Sequence, residues 1–185
     1  MATRMKTTRE KPWHYTECGL DNVCLVGIEV ETDPKTGGRE PIIPQIADLH
    51  DCIFLAVLGA SKPLTGSEVR FVRRHLPWTQ TTAAENMRLS SPQYWCALER
   101  KGDRRAFSDL SSDLVWRLLC LEAFAETAKG QRKKQARTLH ASLTQVSKGL
   151  DEISRSPTSH AVEIRRVHAG KAETWQPLRF LPLAA

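Results

Sequence analysis

The residues from Leu64 to Gly102 bring together side chains whose chemistry is recognition rather than bond making. Arg70, Arg73, Arg74 and Arg100, followed by Lys101, Arg104 and Arg105, stand among the amides Gln80 and Gln93, the hydroxyls of Thr79, Ser91 and Tyr94, and the indoles of Trp78 and Trp95. Cations at this density attract a polyanion and steer its approach when a folded segment holds them in place. Residues 62–105 carry nine Lys and Arg against four Asp and Glu, whereas residues 1–61 carry six against nine; the 185-residue chain has a formal charge of +6. Taken singly, each arginine also fits a solvated helix face.

Bond-making chemistry has less support. His14, Cys18, Cys24 and His50 reach one metal only if distant strand and helix positions meet in space, and zinc modules usually announce themselves by close cysteine pairs, of which there is none. A hydrolase built on Cys18 lacks a glycine-rich nucleophile turn and an orienting acid, and no phosphate-binding loop or dinucleotide fingerprint occurs. The expectation is no enzyme, no metal and no cofactor. Five scattered cysteines suit reduced thiols in a cytoplasm, acting as small hydrophobes. No run approaches the roughly 18 apolar residues of a membrane span, and the first fifteen residues lack the apolar stretch of an export signal, so no membrane partner is expected.

The elements that must position these groups follow from punctuation and period. In CLVGIEVE, strict alternation puts Cys24, Val26, Ile28 and Val30 on one face of a predicted strand, with HYTEC as its partner. The Pro- and Gly-rich Thr32–Pro41 reads as a loop leading to a first helix, in which Ile46, Leu49, Ile53, Val57 and Leu58 recur at helical spacing between Pro44 and Gly59. Thr65 and Glu68 form a capping box for a helix with Val69, Val72 and Leu76 inward and Arg70, Arg73 and Arg74 largely elsewhere, ended by Pro77. Thr79 caps the next helix, whose Ala83, Ala84 and Met87 let another helix cross closely. After a turn at Arg88–Ser90, Ser91 caps a third helix with Pro92 at its first position and Trp95 and Leu98 inward. Trp95 reads as core filling and Glu99 as a tie to a neighbouring arginine.

TQTTAAENM followed by SPQYWCALERKG resembles the helix-turn-helix of lambda-repressor-like, Xre-type regulators, over about forty residues. The turn is one residue longer than usual, Arg88 stands where glycine is common, and Lys101 is extra before Gly102. HYTECGLDNV with LTGSEVRFVRRHL is similar to a smaller group of bacterial regulators, some associated with toxin–antitoxin loci or mobile elements, over residues 13–105. The resemblance implies double-stranded DNA as partner and the third helix in the major groove, with Gln93 pairing an adenine through two hydrogen bonds, Ser91 and Tyr94 beside it and Pro92 against a thymine methyl. Thr79 and Gln80 would hold the backbone, and Arg70, Arg73, Arg74, Arg100, Lys101, Arg104 and Arg105 would supply the phosphate contacts.

Beyond residue 105 the chain reads as a helical hairpin and a β-hairpin. Leu110, Leu114, Leu118, Leu121 and Ala125 form one apolar stripe; Leu139, Leu143, Val146, Leu150 and Ile153 form a second, a helix seam for packing within the chain or for dimerisation. The basic KGQRKKQAR lies beside nucleic acid or is simply a solvated helix end. AVEIRRV and AETWQPL flank HAGK as a hairpin that can join the N-terminal strands. The expected fold is α+β, mainly α: a central lambda-repressor-like bundle with a small antiparallel β element from both terminal segments, divided as 1–61, 62–105 and 106–185. The expected function is a homodimeric transcriptional repressor or autoregulator on a palindromic operator. The alternative is a protein-interaction module, an antitoxin or antiactivator, in which the helix-turn-helix is architectural and the partner is a protein.

Overall fold

The structure, a computed structural model, describes residues 8–9, 12–145, 161–169 and 172–177. The chain is α+β, with six helices and two small sheets among those residues. Strands β1 (Thr8–Arg9), β4 (Glu29–Thr32) and β5 (Arg39–Ile42) form one sheet in the order β1-β4-β5. The second sheet, in the order β2-β3-β6-β7, joins β2 (Trp13–His14) and β3 (Val23–Val26) to the hairpin of β6 (Val162–Ala169) and β7 (Ala172–Pro177). The hairpin thus joins the N-terminal strands as expected, but the seam is parallel rather than antiparallel, with Val23 opposite Val162 and Leu25 opposite Ile164.

The expected single strand from Cys24 to Glu31 is two strands, because Gly27 turns the chain with φ of +75°. That break inverts the alternation: Val23 and Leu25 are buried before it and Ile28 and Val30 after it, leaving Cys24 and Val26 only half-buried. The expected loop is also shorter. Asp33 closes a tight turn by accepting from the Lys35 amide at 2.9 Å and the Thr36 hydroxyl at 2.8 Å, and Arg39 already begins β5.

Helix α1 (Ile46–Leu58) occupies the bounds set by Pro44 and Gly59 and forms the centre of the core. From Cys52 to Leu58 every residue is buried, since α2 (Gly66–His75), α5 (Leu110–Thr127), α6 (Gly130–Gln145), β6 and β7 all pack around it; only at its start does an expected core residue, Ile46, face outward. A helix that is apolar on all sides has no polar face to keep in water. Its ends are fastened by charge. At the start, Asp48 accepts from Arg132 at 2.8 Å and from the Trp175 amide at 3.1 Å. At the finish, the fully buried Arg117 donates to the carbonyls of Leu58 (2.7 Å) and Ala60 (2.8 Å) while paired with Asp113, placing a cation where helix carbonyls lack partners.

Helix α5 buries a different face from the one its leucines suggest. Trp116, Cys120, Leu121 and Phe124, with Asp113 and Arg117, are buried, whereas Leu110, Leu114, Leu118 and Ala125 are half-buried. The leucine stripe is secondary because α6 covers α5 only in part, while the aromatic face meets the bundle. The Trp116 ring lies 4.5 Å from that of Trp95, tilted by 53°, and edge-on to Trp78 at 5.7 Å, a tryptophan cluster beneath the helix that begins at Pro92. Each such ring removes roughly 200 Å² from water, on the order of 5 kcal/mol before ordering entropy is counted.

Candidate nucleic-acid interface

The three helices α2, α3 (Gln80–Asn86) and α4 (Pro92–Glu99) carry the residues that could touch DNA. The capping box that opens α2 is present: Thr65 Oγ1 accepts from the Glu68 amide at 3.3 Å, and Glu68 Oε2 accepts from the Thr65 amide at 2.9 Å. The same carboxylate pairs with the buried Lys62 Nζ at 2.6 Å and accepts from Asn22 at 3.3 Å, tying α2 to the segment before β3. Val69, Val72 and Leu76 face the core. Thr79 caps α3 through the Thr82 amide, and the buried Ala83 and Ala84 let α4 approach.

The turn between α3 and α4 is a Schellman motif. The Leu89 amide donates to Ala84 O at 2.8 Å and the Arg88 amide to Glu85 O at 2.9 Å, while Arg88 itself takes φ of +51°. Arg88 therefore has the left-handed backbone that glycine usually supplies. Ser91 stands at the N-cap of α4 with extended backbone, but its side chain makes no capping bond, unlike the expected cap. Pro92 is the first helical residue.

Helix α4 is sharply two-faced. Trp95, Leu98 and Glu99 are buried, and Gln93, Tyr94, Ala97 and Arg100 are exposed at helical spacing, Tyr94 by 51%. The inner face is locked by Glu99, which accepts from Arg73 Nε at 2.5 Å, Arg73 Nη2 at 3.1 Å, Gln80 Nε2 at 2.9 Å and Trp95 Nε1 at 2.8 Å. Burial alone would raise the Glu99 carboxyl, but the hydrogen bonds from Arg73, Gln80 and Trp95 outweigh it and hold it below the usual carboxylate range.

This network engages two of the expected phosphate contacts within the protein. Arg73 is buried and committed to Glu99 and to Trp78 O at 2.7 Å, so its guanidinium is not presented to solvent. Gln80 is half-buried, and its amide nitrogen also serves Glu99. Among the other expected phosphate ligands, Lys101 donates to Ala106 O at 2.5 Å, Arg104 is exposed and reaches Lys101 O at 3.4 Å, and Arg105 is half-buried with Nε enclosed and lacking an acceptor among the described residues. Arg70 is exposed on one side and reaches Glu99 O at 3.4 Å. Arg74 and Arg100 are exposed, and no ion pair or side-chain hydrogen bond engages them among the described residues. Thr79 is exposed, its hydroxyl bonded to Thr82.

The close approach of α2 to α4 fixes the angle of the unit. A Cβ on Gly66 would fall 2.6 Å from Leu98 O and 2.9 Å from Gly102 N, both backbone atoms. The Ser67 amide donates to Gly102 O and the Gly66 amide to Arg104 O, so the start of α2 is bonded to the chain leaving α4.

The remaining expected sites are dispersed. His14 binds Asp21 O, His50 is hydrogen-bonded to the Tyr15 hydroxyl at 2.8 Å, and no group of three His, Cys, Asp or Glu could hold a metal among the described residues. Burial pushes the Cys18 thiol up, and that of Cys52 up to about 12. None of the five cysteines is in a disulfide. In the expected dimer seam, Leu143 is buried and Leu139 half-buried in the chain's own core, where α6 packs on α5; Val146, Leu150 and Ile153 lie outside the described residues. Of the basic stretch before them, Arg132 is buried on Asp48 and Trp175 O, while Lys129, Lys134 and Arg137 are exposed. No helix among the described residues is long and apolar enough to cross a membrane. Comparison with protein-family models, with curated proteins and with solved structures finds no match.

Proposed function

We propose that the chain is a sequence-specific DNA-binding regulator of Xre type, a homodimeric repressor or autoregulator of its own or an adjacent operon, that reads the major groove with α4. The observation that carries this reading is the division of α4: Gln93, Tyr94 and Arg100 stand outward on a helix whose opposite face is anchored by Trp95, Leu98 and Glu99. Rigid backing matters because a base reader must be held to within a fraction of an ångström to discriminate. Gln93 offers a donor and an acceptor side by side, the pattern of an adenine edge, and Tyr94 lies next to it. Arg74 and Arg100 supply charge that no protein carboxylate neutralises among the described residues. A two-fold copy would set a second α4 about 34 Å away on a palindromic site and double the contacts.

A second reading, an interaction module that keeps the helix-turn-helix as architecture, draws on the engagement of Arg73 and Gln80 by Glu99, which removes two polar groups from the outer surface. Titration of the protein against its own upstream DNA and unrelated DNA at several salt concentrations separates the two. For a regulator, binding discriminates between the duplexes; Gln93→Ala loses about 1–3 kcal/mol of that discrimination per site. Arg100→Ala weakens both duplexes alike and flattens the salt slope by about one per protomer. Weak binding, equal on both duplexes and insensitive to Gln93→Ala, refutes the regulator.

A further inference from the structure

We propose that Arg88 is a phosphate contact, kept in a strained turn for the charge it presents rather than for the fold. This rests on the reading of α4 as a recognition helix. The Schellman turn demands a left-handed residue at this position, a conformation that glycine adopts freely and a residue with a Cβ adopts against steric resistance. Nothing within the described protein compensates: Arg88 is exposed and its side chain has no hydrogen-bond or ion-pair partner there. Its neighbours in the same basic segment differ. Lys62, Arg73 and Lys101 are held by short bonds to protein acceptors, and Arg70 and Arg104 reach backbone carbonyls. The exposed, unengaged cations of residues 62–105 are Arg74, Arg88 and Arg100. Arg88 and Arg100 lie just before and just after α4, so the outward-facing Gln93 and Tyr94 have a free guanidinium on either side of them in sequence. A guanidinium takes a phosphate through two parallel hydrogen bonds, which a glycine in the same turn cannot provide.

The test uses the full chain with Arg88→Gly and Arg88→Lys, measuring thermal unfolding without DNA and salt-dependent affinity for its own upstream duplex. Arg88→Gly should unfold about 2 °C higher than the wild type. It should also bind roughly threefold to tenfold more weakly, with a salt slope flatter by about one per protomer. Arg88→Lys should keep the wild-type melting temperature and slope. A more stable protein that binds less well is an outcome that a purely structural arginine does not produce. If Arg88→Gly binds with unchanged affinity and slope, or if it unfolds at a lower temperature, the inference is overturned while the reading of α4 stands. If the wild type binds no duplex, the reading of α4 falls and this inference with it.

Discussion

Glu99 gathers four hydrogen-bond donors from three side chains onto one buried carboxylate, so the wall between α4 and its neighbours is electrostatic as well as apolar. Glu99→Gln keeps the shape but leaves the buried Arg73 without its counter-charge, and we expect a loss of about 3 kcal/mol at pH 7 in chemical denaturation. The pH dependence has a definite sign. The folded carboxyl titrates below its unfolded value of about 4.3, so its contribution is complete above that value and disappears as the pH falls through the lower, folded one. The wild type should therefore lose more stability than Glu99→Gln on acidification through this window; parallel profiles would exclude the network as a stabilising unit. A tie between Glu99 and an arginine was legible in the sequence, but its identity was not, because Arg70, Arg73 and Arg74 share one helix; packing seats Arg73 on Glu99, with Arg70 Nε also 3.7 Å from the carboxylate. The spacing did hold a hint. Arg73 follows Val69 by four and precedes Leu76 by three, which places it on the inward stripe despite its charge.

At the scale of elements, Gly66 is the point where α2 and the end of α4 touch backbone to backbone. Alanine inside a helix ordinarily gains up to about 1 kcal/mol over glycine. Here the added Cβ would meet Leu98 O at 2.6 Å, so the sign reverses. We expect Gly66→Ala to destabilise by about 1–3 kcal/mol and to tilt α4, which under the proposed function would weaken DNA binding; a stabilised variant in urea unfolding would show that the two helices can part without cost. Helix bounds were the most legible feature. The Thr65–Glu68 capping box, the Thr79 cap and the bracket of Pro44 and Gly59 are local devices whose partners lie within one turn, and all appear in the fold. Faces were less legible. Gly27 inverts an alternation that seemed continuous from Cys24 to Glu31, and α5 offers two apolar stripes of which the aromatic one, Trp116, Cys120 and Phe124, wins the core. Both choices are settled by distant partners that a local period does not register. Of the proposed interface, the sequence named Gln93, Tyr94 and Arg100, which are exposed in the fold, and not Arg88, whose signal was a bulky charge at a position favouring glycine.

At the scale of the whole molecule, the core cluster draws on residues from all three expected segments, and Trp175 is one of the points where they meet. Its ring is buried and donates from Nε1 to Pro44 O at 3.0 Å, its amide binds Asp48, and its carbonyl accepts from Arg132 at 2.9 Å. Trp175→Ala should cost about 3–5 kcal/mol and raise amide exchange in β2, β3 and the first turn of α1 together; exchange confined to the hairpin would show that β7 is an appendage. The parallel seam of β3 and β6 has one more consequence, for the order in which the protein is made. Val23–Val26 leaves the ribosome before β6, the strand that completes its hydrogen bonds, which follows the six described helices, so during synthesis the nascent chain carries an open sheet edge. A translation stop after Gln145 and before Val162 would release the described helices beside a strand still lacking its neighbour, and such a fragment is inclined to aggregate.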